Sequence, residues 1–283
     1  MSNVRGIIFA GCSFTWGEGL ELYSNYPSIP YEYYIQNGYH WPHVNEMGFV
    51  KKSHLEYIKA NRFSRIVANR FDTFDCVQDA NGGSLGQMKE HILKSIKLYG
   101  NDLSHIIIQF TEHLRDCTLK DSKHPGDGVR ELLDNRIEYE RGIITIDEYE
   151  SSSYSKRWKD NFGEMSSLEV DDFLFKSNVI TFLNWVMDIS KSNNLVVKFI
   201  GTWTNDSYRY DTLDKYDIIV SNFYNKNLIK FKFNKKYYRS IFELTSSNKS
   251  FRLVDDFEWS NNEHPNIKLH NLISNNIIKQ IDK

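Results

Sequence analysis

Two short apolar runs constrain this chain more than any other feature. Val4 to Ala10 and His105 to Phe110, the latter centred on Ile106-Ile107-Ile108, are continuous rather than alternating. Each is too short for a helix, and a continuous β-branched run suits a strand buried on both faces. Phe74 to Gln78 and Leu195 to Ile200 read as two further strands. Helical periods lie between and after them. Leu85, Met88, Ile92 and Ile96 share one face behind Ser84, a residue type that caps helix starts. Residues 53–69 carry Leu55, Ile58, Ile66 and Val67 on an inner face, and Leu168 to Ser190 carries Phe173, Ile180, Leu183 and Met187. The last helix is expected from near Pro265, with Leu269, Ile273, Ile277 and Ile281 four apart. Further short strands are expected at 217–220 and 252–254. Strands alternating with helices predict a mainly parallel sheet covered on both faces, an α/β/α sandwich in three layers.

The 283 residues read as one domain, 1–283, with two irregular stretches. Residues 20–50 hold Tyr23, Tyr26, Tyr31, Tyr33, Tyr34, Tyr39 and Trp41 among Pro27, Pro30 and Pro42, which breaks regular structure. This aromatic loop is either functional or a lid on the core. Residues 113–166 are polar and weakly periodic and read as an insertion. With 40% hydrophobic and 14% aromatic residues the chain can bury a sizeable core, which excludes disorder as its main state. A net charge of −2 excludes polyanion binding driven by bulk charge, so nucleic acid is not expected as a partner. A local patch stays open. Lys230 to Arg239 interleaves cations with aromatics, which fits a grip on nucleic acid or an acidic glycan, and equally an exposed alternating strand. No apolar window is long enough to span a membrane, and the first residues lack a secretory pattern, so no membrane partner and a cytoplasmic location are expected. Cys12, Cys76 and Cys117 form no C-x-x-C pair and fit a reducing compartment. His40 and His43 lack a nearby third ligand. Neither metal nor organic cofactor is expected.

In parallel sheets the site lies beyond the carboxyl ends of the strands. Ser13 falls there after the first strand, Gly82-Gly83 after the second and Thr111-Glu112 after the third. Ser13, two residues after Gly11, is placed as a nucleophile whose own amide can face an oxyanion. No Gly-Lys-Ser/Thr follows, so this is not a phosphate loop of that type, and Phe14-Thr15 excludes the Gly-x-Ser-x-Gly elbow. A serine nucleophile needs a base. His264, in Asn261-Asn262-Glu263-His264-Pro265-Asn266, is held by a proline just before the last helix. His270 is expected to face the surface or to pack.

These residues suggest a family. Gly11-Cys12-Ser13-Phe14-Thr15 resembles the first block of the SGNH/GDSL hydrolases, and Ala80-Asn81-Gly82-Gly83-Ser84 the second. Ile108-Gln109-Phe110-Thr111-Glu112 stands at the third block, and His264-Pro265-Asn266 resembles the fifth. The texture is similar to divergent SGNH-like proteins of bacteriophages. The resemblance implies the flavodoxin-like three-layer sandwich, with Ser13 as nucleophile and His264 as base. The oxyanion would take the amides of Ser13 and of Gly83, or of Gly82. Two departures stand out: Thr111 replaces the third-block Asn, and Asn261 and Asn262 stand where an acid would orient His264. Glu263, Asp255, Asp256 or a main-chain carbonyl are other candidates for that orienting role. The implied activity is an esterase or deacylase working through an acyl-enzyme on a small-molecule or glycan ester. The alternatives are a catalytically weakened binding or structural protein of the same fold, and an O-acyltransferase.

Overall fold

The computed structural model of the protein describes residues 4–12, 15, 17, 20, 52–77, 83–202, 207–248 and 266–281, without the side chains of 52–55 and 207. The described elements follow in chain order. Strand β1 (Gly6–Ala10) precedes helices α1 (Lys52–Asn61) and α2 (Phe63–Arg70), strand β2 (Asp75–Val77), helix α3 (Leu85–Tyr99) and strand β3 (Leu103–Gln109). Then come α4 (Val129–Glu140), α5 (Ile146–Ser151), α6 (Ser153–Phe162), α7 (Ser167–Phe175), α8 (Thr181–Ser192) and β4 (Val196–Ile200). The chain continues through α9 (Ser207–Tyr210), α10 (Ile218–Asn227), the hairpin β5 (Phe231–Phe233) and β6 (Lys236–Tyr238), α11 (Ile241–Ser247) and α12 (Ile267–Ile281).

All four expected strands form one parallel sheet in the order β2-β1-β3-β4. Its two central strands are buried along their whole length. Ile8, Ala10, Ile106, Ile108 and Phe110 face one core, shared with α3, α8 and α10. Ile7, Phe9 and Ile107 face the other, shared with α2, α11 and α12. The continuous apolar pattern therefore reports two covered faces, and the fold is the expected three-layer α/β/α arrangement. Strand order reverses at β1, with β2 on one side and β3 on the other. A doubly wound sheet opens its crevice at such a point, here between the carboxyl ends of β1 and β3.

Beyond β4 the edge is made of two fragments. Leu228 bridges in parallel to Phe199 and Ser240 to Gly201, and the β5–β6 hairpin is the excursion between them. The approach at Gly201 is close enough that a Cβ there would fall on the Arg239 carbonyl oxygen.

Several expected elements form differently. Residues 53–69 make two helices, because Arg62 is extended (φ −67°, ψ 148°) and its guanidinium reaches Asp75 at 3.2 Å. That carboxylate is fully buried and also takes Arg65 at 2.6 Å and the Ser64 hydroxyl at 3.0 Å. Residues 217–220 are not a strand. The Asp217 carboxylate accepts the amides of Ile219 and Val220 at 2.8 and 3.0 Å and starts α10, so a local cap outweighs β propensity. The helix expected over 168–190 forms as α7 and α8 joined by a π-turn at Lys176–Ile180. An inserted residue turns the helix face, so Phe173 is 59% exposed although Ile180 and Leu183 are buried. The insertion 113–166 is helical and builds its own cluster around Trp158 with Leu114, Leu132, Leu133 and Val170. Its helices are short and each lends only one face to that cluster, which weakens their sequence period. The strand expected at 252–254 and the aromatic loop, except Leu20, lie outside the described residues.

The last helix bears its four expected inward residues, all buried. Asn266 starts it, its side-chain oxygen accepting from the Leu269 amide at 3.0 Å. His270 packs: its Nδ1 accepts the Phe63 amide at 3.1 Å and its ring stacks on Phe63. Further along, Asn276 accepts the Lys232 amide and Gln280 the Lys230 amide. As β5 advances, its contacts step back along α12, so α12 runs antiparallel to it and begins at the carboxyl rim of the sheet.

His105 on β3 yields a stability prediction. Burial, and then the nearby Lys198 ammonium, lower its pKa from 6.5 to about 4. Ser104 Oγ accepts the Arg5 amide at 2.8 Å and lies 2.8 Å from His105 Nδ1, an arrangement made for a neutral ring. The unfolded chain takes up a proton near pH 6.5 that the folded chain refuses. Stability from this group is therefore complete above about pH 6.5 and is lost as pH falls toward 4. Denaturant midpoints of wild type should drop across that window more steeply than those of His105→Asn. Equal slopes would remove His105 as the cause.

Candidate functional site

The carboxyl ends of β1 and β3 are joined by Gln109, a buried amide at the end of an apolar strand. Its Oε1 accepts from the Cys12 amide at 3.4 Å, the Cys12 thiol at 3.1 Å and the Thr15 hydroxyl at 3.3 Å. Its Nε2 donates to the Phe110 carbonyl. The Thr15 amide closes a turn on the Cys12 carbonyl at 3.0 Å. One side chain of β3 thus holds both ends of the turn that leaves β1. Gly11 is required there, because a Cβ would fall on the Thr15 hydroxyl. Gln109 is a functional residue that its position in the sequence does not announce, the one signal being a lone amide ending the run Ile106-Ile107-Ile108.

Thr111 lies two residues beyond Gln109 and is 1% exposed. Among the described residues its hydroxyl has no hydrogen-bond partner. A buried, unpartnered hydroxyl costs free energy, which marks it as a group that could serve an incoming acceptor. Gly83 is also buried, directly before Ser84, whose hydroxyl accepts from the Gln87 amide in a capping box. The expected cap of α3 is thus present. Of the expected site residues, Gly83 and Thr111 are described, Gly83 just before the cap of α3 and Thr111 two residues after β3. Ser13, Gly82, His264, Asn261 and Asn262 lie outside the described residues, as do His40 and His43. Cys12 and Thr15, on either side of Ser13-Phe14, and the start of α12 are described.

Two charged groupings on this rim were not foreseen. Asp116 binds the first amides of α3, Leu85 to Oδ2 and Gly86 to Oδ1, both at 2.8 Å. This ties the loop after β3 to the helix start beside Gly83 and sets a carboxylate against the positive end of the helix dipole. On the other side His113 Nε2 lies 2.7 Å from Asp171 Oδ1, and Asp171 also pairs with Arg209. Arg209 reaches Asp172 at 3.2 Å, and the Tyr216 hydroxyl donates to Asp172 at 2.8 Å. Desolvation lowers the Arg209 pKa and raises that of Tyr216. Glu112 is engaged by Arg130.

Among the described residues no group of His, Cys, Asp and Glu has the arrangement of a metal centre. No helix among them is long and apolar enough to cross a membrane. The fold and rim define the class: a doubly wound α/β protein with polar side chains gathered at the carboxyl ends of its central strands. Comparison with family models, curated proteins and solved structures gave no match.

Thr111→Val separates stability from activity. Valine keeps the shape and removes a hydroxyl that is buried without a partner, so the variant should be more stable by about 1 kcal/mol. If the hydroxyl serves as an oxyanion donor, turnover of a small ester should fall roughly 10²–10³-fold in the same variant. A loss of both stability and activity would mean that Thr111 bonds within the fold.

Proposed function

We propose that the chain is a serine esterase or deacylase of the SGNH type, acting on a small ester such as an acylated carbohydrate. Ser13 attacks the acyl carbon while His264 takes its proton, and the same histidine returns it to the leaving alcohol. Water then releases the acyl group. The amides of Ser13 and Gly83 and the Thr111 hydroxyl face the oxyanion, and Asn261 or Asn262 orients the histidine ring. The reading includes membership of the divergent SGNH/GDSL superfamily in its bacteriophage branch, and a cytoplasmic location.

The observation that supports this reading is the Thr111 hydroxyl, buried and unbonded where the third block of that family puts its oxyanion donor. The sheet order adds to it by making the ends of β1 and β3 neighbours. Asp116 favours a second reading, a weakened binding protein of the same fold. Its carboxylate on the first amides of α3 opposes negative charge developing beside Gly83.

A fluorophosphonate probe distinguishes the two. The hydrolase reading expects a covalent adduct on Ser13 in wild type and none in Ser13→Ala, by intact-mass measurement. Folded wild type that stays unmodified after prolonged exposure leaves the binding protein.

A further inference from the structure

The segment 226–239 carries six Lys and Arg residues and no Asp or Glu, in a chain whose net charge is −2. Folding gathers this charge on the β5–β6 ribbon. Phe231 pairs with Tyr238, Lys232 with Tyr237 and Phe233 with Lys236. Phe231 is buried and Phe233 and Tyr238 pack beside it in the core under α12, so alternate residues turn outward. Lys226, Lys230, Lys232, Lys235 and Lys236 are all exposed, and among the described residues none of them is in an ion pair. Tyr237 is 64% exposed, with the Lys232 ammonium 5.7 Å from its ring centroid.

We propose that this ribbon is a docking surface for single-stranded nucleic acid, with phosphates held by the lysines and a base stacked on Tyr237. Charge complementarity carries the assignment, and the ribbon's form sharpens it. Lys230 and Lys232 are two residues apart on a strand, about 6.8 Å. That is close to one phosphate step of an extended nucleic acid strand. A planar aromatic beside such a row is the arrangement by which sequence-tolerant single-strand binders work. The backbone is fixed in advance. Lys232 donates its amide to Asn276 at 2.9 Å, and Lys230 exchanges two hydrogen bonds with Gln280 at 3.2 and 3.0 Å. A preordered platform loses little entropy on binding. The turn carries its own sign. Asn234 and Lys235 both have positive φ, 48° and 66°. Tight hairpins favour Asn there and then Gly, so a lysine at the second position keeps a charge at the tip at a conformational cost.

The test uses the whole chain and a fluorescein-labelled oligo-dT of about fifteen nucleotides, near the upper end of common single-strand site sizes. Anisotropy at low salt should show binding that weakens steadily as salt rises. Lys230→Gln and Lys232→Gln should each reduce the salt slope by about 0.7, the contribution of one phosphate contact on a single strand. Tyr237→Ala should weaken binding on the order of tenfold at an unchanged slope, and Tyr237→Phe should restore it. These side chains are exposed, so melting midpoints should stay at the wild-type value. Absence of binding by wild type at low salt overturns the proposal. So does binding that ignores the lysine variants, which sets the contact elsewhere. Binding that responds to the lysines, ignores Tyr237 and is matched by heparin identifies an acidic-glycan surface and equally overturns it.

Discussion

A strand buried on both faces has no place for a polar side chain except at its ends, and this constraint arranges the molecule. β1 and β3 lie between two apolar cores, and the polar side chains of β3 fall toward its ends, Ser104 and His105 near one and Gln109 at the other. Polar groups appear as soon as β3 reaches the rim, with Gln109, Thr111, Glu112 and His113 close together. The first of these holds the turn leaving β1, the second keeps an unused hydroxyl, the third pairs with Arg130 of the insertion and the fourth with Asp171 on α7. Leaving any of these groups buried without a partner would cost about 1–3 kcal/mol. Most of these rim groups are bonded, and the Thr111 hydroxyl stands apart from them in having no partner among the described residues.

The sheet was legible because its signal is local and one-dimensional. Ile106-Ile107-Ile108 can be nothing but an interior strand or a fragment of a buried helix, and flanking polar residues decide for the strand. Ser84 was legible as a cap for the same reason, since capping needs only three residues of context. Asp217 begins a helix although the three apolar residues after it suggest a strand, because an acid can bond the next amides. Phe173 was misread because one π-turn changes the helical phase, and no residue type announces such a turn. The insertion was underrated because its core is assembled across short helices, so no single window shows a period.

The site was legible to a different degree. Positions after strands could be identified, because fold topology sends them to one end. Gly83 and Thr111 were chosen that way, and both are buried in the described structure. Roles depending on distant pairing could not be read. The hold of Gln109 on Cys12 spans 97 positions, and that of Asp116 on Gly86 spans 30. A residue pattern gives no measure of such separations until the sheet order is known.

Asp116 and Thr111 pull the chemistry of this rim in opposite directions. The first offers negative charge where a helix start is positive, and the second offers a hydroxyl proton with no acceptor. The balance depends on where the field is screened. The Asp116 carboxylate spends its two oxygens on two amides, so most of its charge is already answered by the helix start. What remains acts on Gly83 through one residue of chain, whereas Thr111 would act by direct contact. Direct donation in a buried site outweighs a partly compensated charge, because a hydrogen bond gains strength as the local dielectric falls. The same fall strengthens the residual repulsion, so the more deeply an acyl group is enclosed, the more the outcome turns on the Thr111 hydroxyl alone.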